Sequence, residues 1–183
     1  MLDGDPYRAD DPELVEAHRR ARRLLERFNA ASVDEGALRV SVLAELLGAV
    51  GEGCDIRPPF FCDYGTQIHI GDRTFVNFGL MALDPAPITI GDDVQIGPNV
   101  QLLTPTHPLD AGRRRDKWEA AAPITVEDNV WLGGGAIVLA GVTVGANTVV
   151  GAGAVVTRSL PPGVVAVGAP ARVIPSPVNP GDR

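Results

Sequence analysis

Cysteine is nearly absent. The two present, Cys54 and Cys62, are too few for a disulfide framework, and neither their number nor their spacing suggests a zinc site. Positive charge is also in deficit, with 16 Lys and Arg against 23 Asp and Glu, a net charge of −7 and a pI near 4.9. That balance argues against a nucleic-acid or anionic-membrane surface, while a local basic patch could still hold a phosphorylated cofactor. No apolar run approaches the roughly 18 residues of a spanning helix, and the acidic, polar start is not a signal peptide. The expectation is a cytoplasmic protein with no membrane or nucleic-acid partner. Histidine is scarce too: His18, His69 and His107 are the only three. A mechanism that needs an imidazole base has few places to find one.

What the chain does have is a repeat. An aliphatic residue recurs every six positions at Val126, Leu132, Val138, Val144, Val150 and Val156, often followed by Gly, as at Gly133, Gly145 and Gly151. The fourth residue after the aliphatic is small or branched: Val130, Ala136, Val142, Thr148, Ala154. A period of six fits neither a helix nor an alternating strand. It fits a parallel β-helix, in which each short strand buries one aliphatic side chain and glycine frees the backbone at the corner. The phase returns at Ile90, Ile96 and Leu102, and earlier at Tyr64, Ile70 and Val76. Two extra residues interrupt it between Val76 and Ile90, and a long excursion, about 107–122, separates Leu102 from Val126. Such insertions map to side loops, which commonly carry function.

At 183 residues the chain suffices for one folded unit with one continuous core. Before the repeat, Asp11-Pro12-Glu13 starts a helix whose apolar stripe is Leu14, Ala17, Ala21, Leu24, Leu25 and Phe28, with Asn29 as its end. Ser32 and Glu35 suggest a capping box for a second helix bearing Leu38, Val42, Leu46 and Leu47 and closed by Gly48. These helices, within residues 1–55, are expected to cap the open strand edges at one end of the β-helix. The coils then run over 56–174, with the Pro-rich stretch 56–65 as the lead-in. A poorly ordered tail is expected over 175–183.

With these parts in order, the sequence resembles the hexapeptide-repeat sugar O-acetyltransferases of the maltose and galactoside type, almost end to end. The likeness is carried by Tyr7 with Asp11-Pro12-Glu13-Leu14, Phe28-Asn29, Pro58-Pro59-Phe60, Cys62-Asp63-Tyr64-Gly65, Phe75, Asn77, Thr106-His107-Pro108-Leu109, Pro123-Ile124 through Trp131, Gly151-Ala152-Gly153 and Val156-Thr157-Arg158. The resemblance implies a mainly β, left-handed parallel β-helix, a homotrimer, acetyl-coenzyme A as donor and a sugar hydroxyl as acceptor. Handedness comes from the resemblance alone, since the general preference for right-handed crossovers points the other way.

Acetyl transfer from a thioester to an alcohol needs a base, donors for the oxyanion and a groove for the pantetheine arm. His107, at the mouth of the excursion, is the expected base, and the motif around it outweighs the alternative of a plain loop histidine. Glu119 either orients His107 or is an ordinary solvated loop charge. Asn77 and Asp84 match positions lining the acceptor pocket, although Asn is also a common corner residue in this architecture. On the donor side the resemblance implies Gly134 as oxyanion donor, with Gly133 allowing close approach. Trp131 packs on the arm or, alternatively, in a subunit interface. Ala152 and Thr157 lie further along, with Arg158 and Arg172 on the cofactor phosphates. Two departures from the pattern stand out: His18 where relatives often carry Arg, and Pro175 where a second basic residue is common.

The repeat is also compatible with other classes. A metalloenzyme of the γ-carbonic anhydrase type needs three convergent histidines, which the spacing of His18, His69 and His107 does not offer, so no metal is expected. A non-catalytic scaffold needs only the repeat. An acetyltransferase acting on an antibiotic or another alcohol shares base and groove, and the acceptor stays open between it and a sugar.

Overall fold

A computed structural model describes residues 5–175. Its body is a three-sided parallel β-helix of about six turns. The inward residues stack in three columns. Val50, Ile70, Ile90, Val126 and Val144 line one sheet, Ile56, Val76, Ile96, Leu132, Val150 and Ala166 a second, and Cys62, Ala82, Leu102, Val138 and Val156 the third. Apart from Val50, which is half-buried, all are buried. The six-residue period thus places an inward side chain of every strand in one shared apolar core, joined in the longer strands by a second such as Ile68, Ile88 or Ile124, and this core is the main source of cohesion in a solenoid.

The columns correct the phase assigned to the first coil. Cys62, not Tyr64, is the inward residue before Ile70, and the spacing there is eight. The two extra residues lie at the corner and push Asp63 and Tyr64 outward. A second pair of extra residues falls between Ala82 and Ile90, at the same corner one turn on. The ladder also begins earlier than residue 56: Ala49–Val50 pairs in parallel with His69–Ile70. The Pro-rich lead-in is itself laddered, with Asp55–Ile56 and Phe60–Cys62 serving as edge strands of their sheets, where a missing N–H is tolerated.

Helix α1, Pro12–Ala30, starts as its sequence dictates, the Asp11 carboxylate accepting the Glu13 N–H at 2.9 Å. Its buried face is Ala21, Leu24, Leu25 and Phe28. Asn29 stays inside the helix, and the reason is tertiary. Its amide donates to the Phe60 carbonyl at 2.9 Å and accepts the Phe60 N–H at 2.8 Å, so one side chain closes an otherwise open strand edge. Helix α2, Gly36–Leu46, begins later than a capping box on Ser32 would place it. Only half the box forms: the Glu35 carboxylate accepts the Ser32 N–H at 2.7 Å, while the Ser32 hydroxyl accepts from Asp34.

The excursion is a built hairpin. Pro105–Thr106 leaves the third sheet, a five-residue helix at Ala111–Arg115 forms the tip under an Asp110 cap, and Trp118–Ala121 returns antiparallel. The N-terminal strand Tyr7–Arg8 adds to its outer edge. Of the tail expected over 175–183, everything beyond Pro175 lies outside the described residues.

Candidate active site

The corner where the chain leaves the third sheet gathers most of the titratable chemistry. His107 follows the outgoing strand of the hairpin, and Glu119 sits on the returning one. The His107 Nδ1 lies 3.8 Å from Glu119 Oε1, at ion-pair reach rather than hydrogen-bond length, with the imidazole 59% exposed and the carboxylate 20%. The other carboxylate oxygen of Glu119 accepts a 2.9 Å hydrogen bond from the Tyr7 hydroxyl. Burial first, then the bond to Glu119, pushes the Tyr7 phenol well above its ordinary value, so it stays a donor.

Asp63 and Tyr64, displaced outward by the two-residue insertion, line the same corner. His18 of α1 approaches from above, its Nδ1 3.9 Å from Asp63 Oδ1 and its ring edge-on to Tyr64. Burial, reinforced by the Asp84 charge, raises the Asp63 pKa to about 6; the His18 imidazole pulls it the other way. Tyr64 is raised to about 12 by burial and its acidic neighbours. Tyr7, His18, Asp63 and Tyr64 were not assigned a place in the site from sequence. Tyr7, Asp63 and Tyr64 stand among the motif residues of the resemblance, and His18 stands out as a departure from it at a helix position that can reach the acceptor.

The raised Asp63 pKa is a statement about stability. An acid that binds its proton more tightly folded than unfolded makes the fold less stable as pH climbs from its ordinary 3.8 to about 6, and the whole cost is present above that window. The full difference corresponds to about 3 kcal/mol, and partial solvent screening reduces it to roughly 1–2 kcal/mol. Asp63→Asn is therefore expected to raise the melting temperature at pH 7.5 and to leave it nearly unchanged at pH 4. Calorimetry at the two pH values checks this, and equal effects at both would contradict it.

Asp84 requires a correction. It does not line an open pocket: it is wholly buried, and its carboxylate accepts the backbone N–H groups of Asp63, Tyr64 and Gln67 at 3.1, 2.8 and 3.2 Å. Burial raises its pKa, and those three bonds oppose the rise. Its work is to hold the widened corner on which Asp63 and Tyr64 stand.

A second feature lies at the opposite corner of the third sheet, where the chain enters it. Phe75, Asn77, Gln95, Ile96, Gly97, Pro98, Trp131 and Gly134 line a groove of about 270 Å³. Trp131 is 54% exposed, as expected of a side chain that awaits a partner surface or a ligand. Asn77 turns its carbonyl oxygen to the Phe78 N–H at 2.8 Å, as a corner residue does, while still bordering the groove.

The three consecutive glycines here have three different reasons. A Cβ on Gly133 would stand 2.5 Å from the Ala152 nitrogen and 2.8 Å from the Val150 oxygen, so that glycine is demanded by coil stacking rather than by ligand approach. Gly135 has a positive φ of 69°. Gly134 faces the groove, where a Cβ would press against the Pro98 ring at 3.3 Å. The N–H groups of Gly133 and Gly135 are spent on Val150 and Pro98, whereas among the described residues that of Gly134 meets no acceptor. A free backbone donor in a groove with a flat aromatic wall suits a thioester and its pantetheine arm.

The other residues expected on the donor side divide between the corners. Ala152 stacks directly under Gly134, through the Gly153 N–H to the Gly134 carbonyl. Thr157 and Arg158 follow the strand Val155–Val156, on the His107 side of the sheet, and are exposed. Arg172 is exposed on the last strand, Arg172–Ile174. One chain therefore brings together His107 and Glu119, and separately Asn77, Trp131, Gly134 and Ala152, but not the two groups. His69 is on the outer face of its strand, away from both. Among the described residues no cluster of His, Cys, Asp or Glu is arranged to hold a metal ion, and no helix is long and apolar enough to cross a membrane.

This arrangement defines a class. Residues 1–51 match the maltose acetyltransferase hexapeptide capping motif and residues 123–158 the bacterial transferase hexapeptide of six repeats. The chain belongs to the hexapeptide-repeat acetyltransferases of the maltose and galactoside O-acetyltransferase type, enzymes built on a left-handed parallel β-helix. It is 47% identical over 173 residues to nodulation protein L of Rhizobium meliloti, covering 94% of each chain. The crystal structure of a maltose O-acetyltransferase from Clostridium difficile superposes with a TM-score of 0.94 at 44% identity, over 95% of this chain and 93% of that one. A hexapeptide-repeat acetyltransferase from Vibrio cholerae complexed with acetyl-coenzyme A superposes at 0.90 with 42% identity, over 96% and 95%.

Proposed function

We propose that this acetyltransferase moves the acetyl group of acetyl-CoA directly to a hydroxyl of a sugar, with His107 as general base. The observation that carries the reading is the position of His107, on a rigid hairpin with one ring nitrogen turned to the Glu119–Tyr7 pair. That leaves Nε2 free to take the acceptor proton. As the acceptor oxygen bonds to the thioester carbonyl carbon, the oxyanion is met by the Gly134 N–H. The C–S bond then breaks and the proton passes from the imidazolium to the leaving thiolate. No acyl-enzyme is involved: Cys62 is buried with its thiol pushed far up by burial, and Cys54 donates to the Gly71 carbonyl. The donor is supported by the acetyl-CoA complex of the Vibrio cholerae relative, and the sugar acceptor by the likeness to the maltose O-acetyltransferase.

Because the base and the groove sit at opposite corners of one sheet, the reading requires His107 of one protomer to face Asn77, Trp131 and Gly134 of its neighbour, in a homotrimer with three shared sites. Arg158 and Arg172 hold the cofactor phosphates, and the enzyme acts in the cytoplasm. The test is thiol release from acetyl-CoA against a panel of maltose, galactosides, amino sugars and hydroxylated antibiotics, with light scattering on the same sample. The expected result is a trimer releasing thiol with a sugar. A monomer that turns over at micromolar concentration would overturn the shared site, and transfer to an antibiotic but to no sugar would overturn the acceptor class.

A further inference from the structure

We infer that the N-terminal strand belongs to the catalytic apparatus: the Tyr7 hydroxyl is a positioning group that fixes the Glu119 carboxylate against His107. The inference rests on the reading of His107 as base and goes beyond it, by giving the segment ahead of the capping helices a task in turnover.

Three independent features support it. The first is register. Tyr7 pairs with Glu119 and Arg8 with Trp118 in an antiparallel ladder, which brings the Tyr7 side chain level with the carboxylate. The second is the division of labour between the two carboxylate oxygens, Oε2 accepting from Tyr7 at 2.9 Å while Oε1 faces His107 Nδ1 at 3.8 Å. A glutamate has three side-chain torsions, and on a hairpin returning from an exposed tip it would otherwise sample many of them. The third is that the Tyr7 ring is anchored apart from its hydroxyl. It is 8% exposed and packs with Ala86, Ala121 and Leu14. Further contacts bind the segment to the hairpin: the Ala9 N–H to the Lys117 carbonyl at 3.3 Å, and Lys117 Nζ to Asp10 at 3.3 Å. Ring and ladder hold the strand in place, so the hydroxyl is left to act on Glu119 alone.

Tyr7→Phe removes that hydroxyl and keeps the ring. The expected result is a drop in kcat of about tenfold, in the range of coupling between side chains in direct contact, with the KM for acetyl-CoA and the melting temperature unchanged. A loss that was only structural would move the melting temperature or both kinetic constants. The decisive arm is a double-mutant cycle with Glu119→Ala. If Tyr7 acts through Glu119, adding Tyr7→Phe to Glu119→Ala changes kcat no further. A kcat within twofold of wild type for Tyr7→Phe, or the same tenfold loss in the Glu119→Ala background, would overturn the inference. Failure of the parent reading shows separately, as undiminished turnover in His107→Ala.

Discussion

Replacing His107 by alanine is expected to lower turnover by roughly 10² to 10⁴-fold, the usual contribution of a positioned general base, while acetyl-CoA affinity stays nearly intact. The size follows from scarcity. Of the three histidines, His69 is on an outer strand face and His18 is on α1 beside Asp63, so neither replaces a base lost from the hairpin. The selectivity follows from role, since on this reading the base acts on the acceptor proton in the transition state while other residues, Trp131 and Gly134 among them, wall the groove for the arm. Steady-state kinetics with titration calorimetry for acetyl-CoA measures both. Wild-type turnover in the variant would reduce His107 to a loop residue. Stoichiometric acetylation of the protein by acetyl-CoA without acceptor would replace direct transfer with a ping-pong route.

Gly133→Ala is expected to destabilise the fold by about 3 kcal/mol, the upper end of what overpacking costs. The added Cβ meets the backbone of the next coil at 2.5 to 2.9 Å, at the Ala152 nitrogen, the Val150 oxygen and the Gly151 carbon. Backbone in a parallel ladder has no rotamer to change, so the coils must separate and strain bonds such as that from the Gly133 N–H to the Val150 carbonyl. Urea unfolding gives the comparison, with a lowered midpoint at unchanged slope. Gly134→Ala, whose Cβ meets the edge of a proline ring at 3.3 Å, is the control and should cost far less stability while impairing turnover. Equal midpoints for the two variants would refute the assignment of Gly133 to stacking.

The two results would also separate what the glycine run does from what it was expected to do. From the sequence, Gly133 is both a corner glycine of the repeat and room for a long cofactor arm, and Gly134 is the expected oxyanion donor. Stacking packs Gly133 against the backbone of the next coil and leaves Gly134 on the groove wall. Asp84 changed in the same way, from a pocket residue to a buried acceptor of three backbone N–H groups. For Gly133 and for Asp84, the neighbours that fix the residue's place in the fold belong to another coil.

The sequence by itself determined the architecture, because a β-helix writes its period into the chain. An inward aliphatic recurs once per strand, and the pattern from Val126 to Val156 admits no helix or alternating sheet. It also marked His107, through a break in the period and a motif. Tertiary structure decided what lies across turns. The pairing of Asn29 with Phe60, of Tyr7 with Glu119 at a separation of 112 residues, and of His18 with Asp63 depends on how a cap helix and a hairpin settle on stacked coils. Tyr64 falls out of phase for a related reason: a two-residue insertion at a corner leaves a plausible large residue six positions before Ile70, and the ladder register, which pairs Cys62 with Ala82, shows that the small buried thiol is the inward residue. Periodicity reports which side chains face inward, since burial repeats with the backbone. It carries no record of side chains that meet outside the prism.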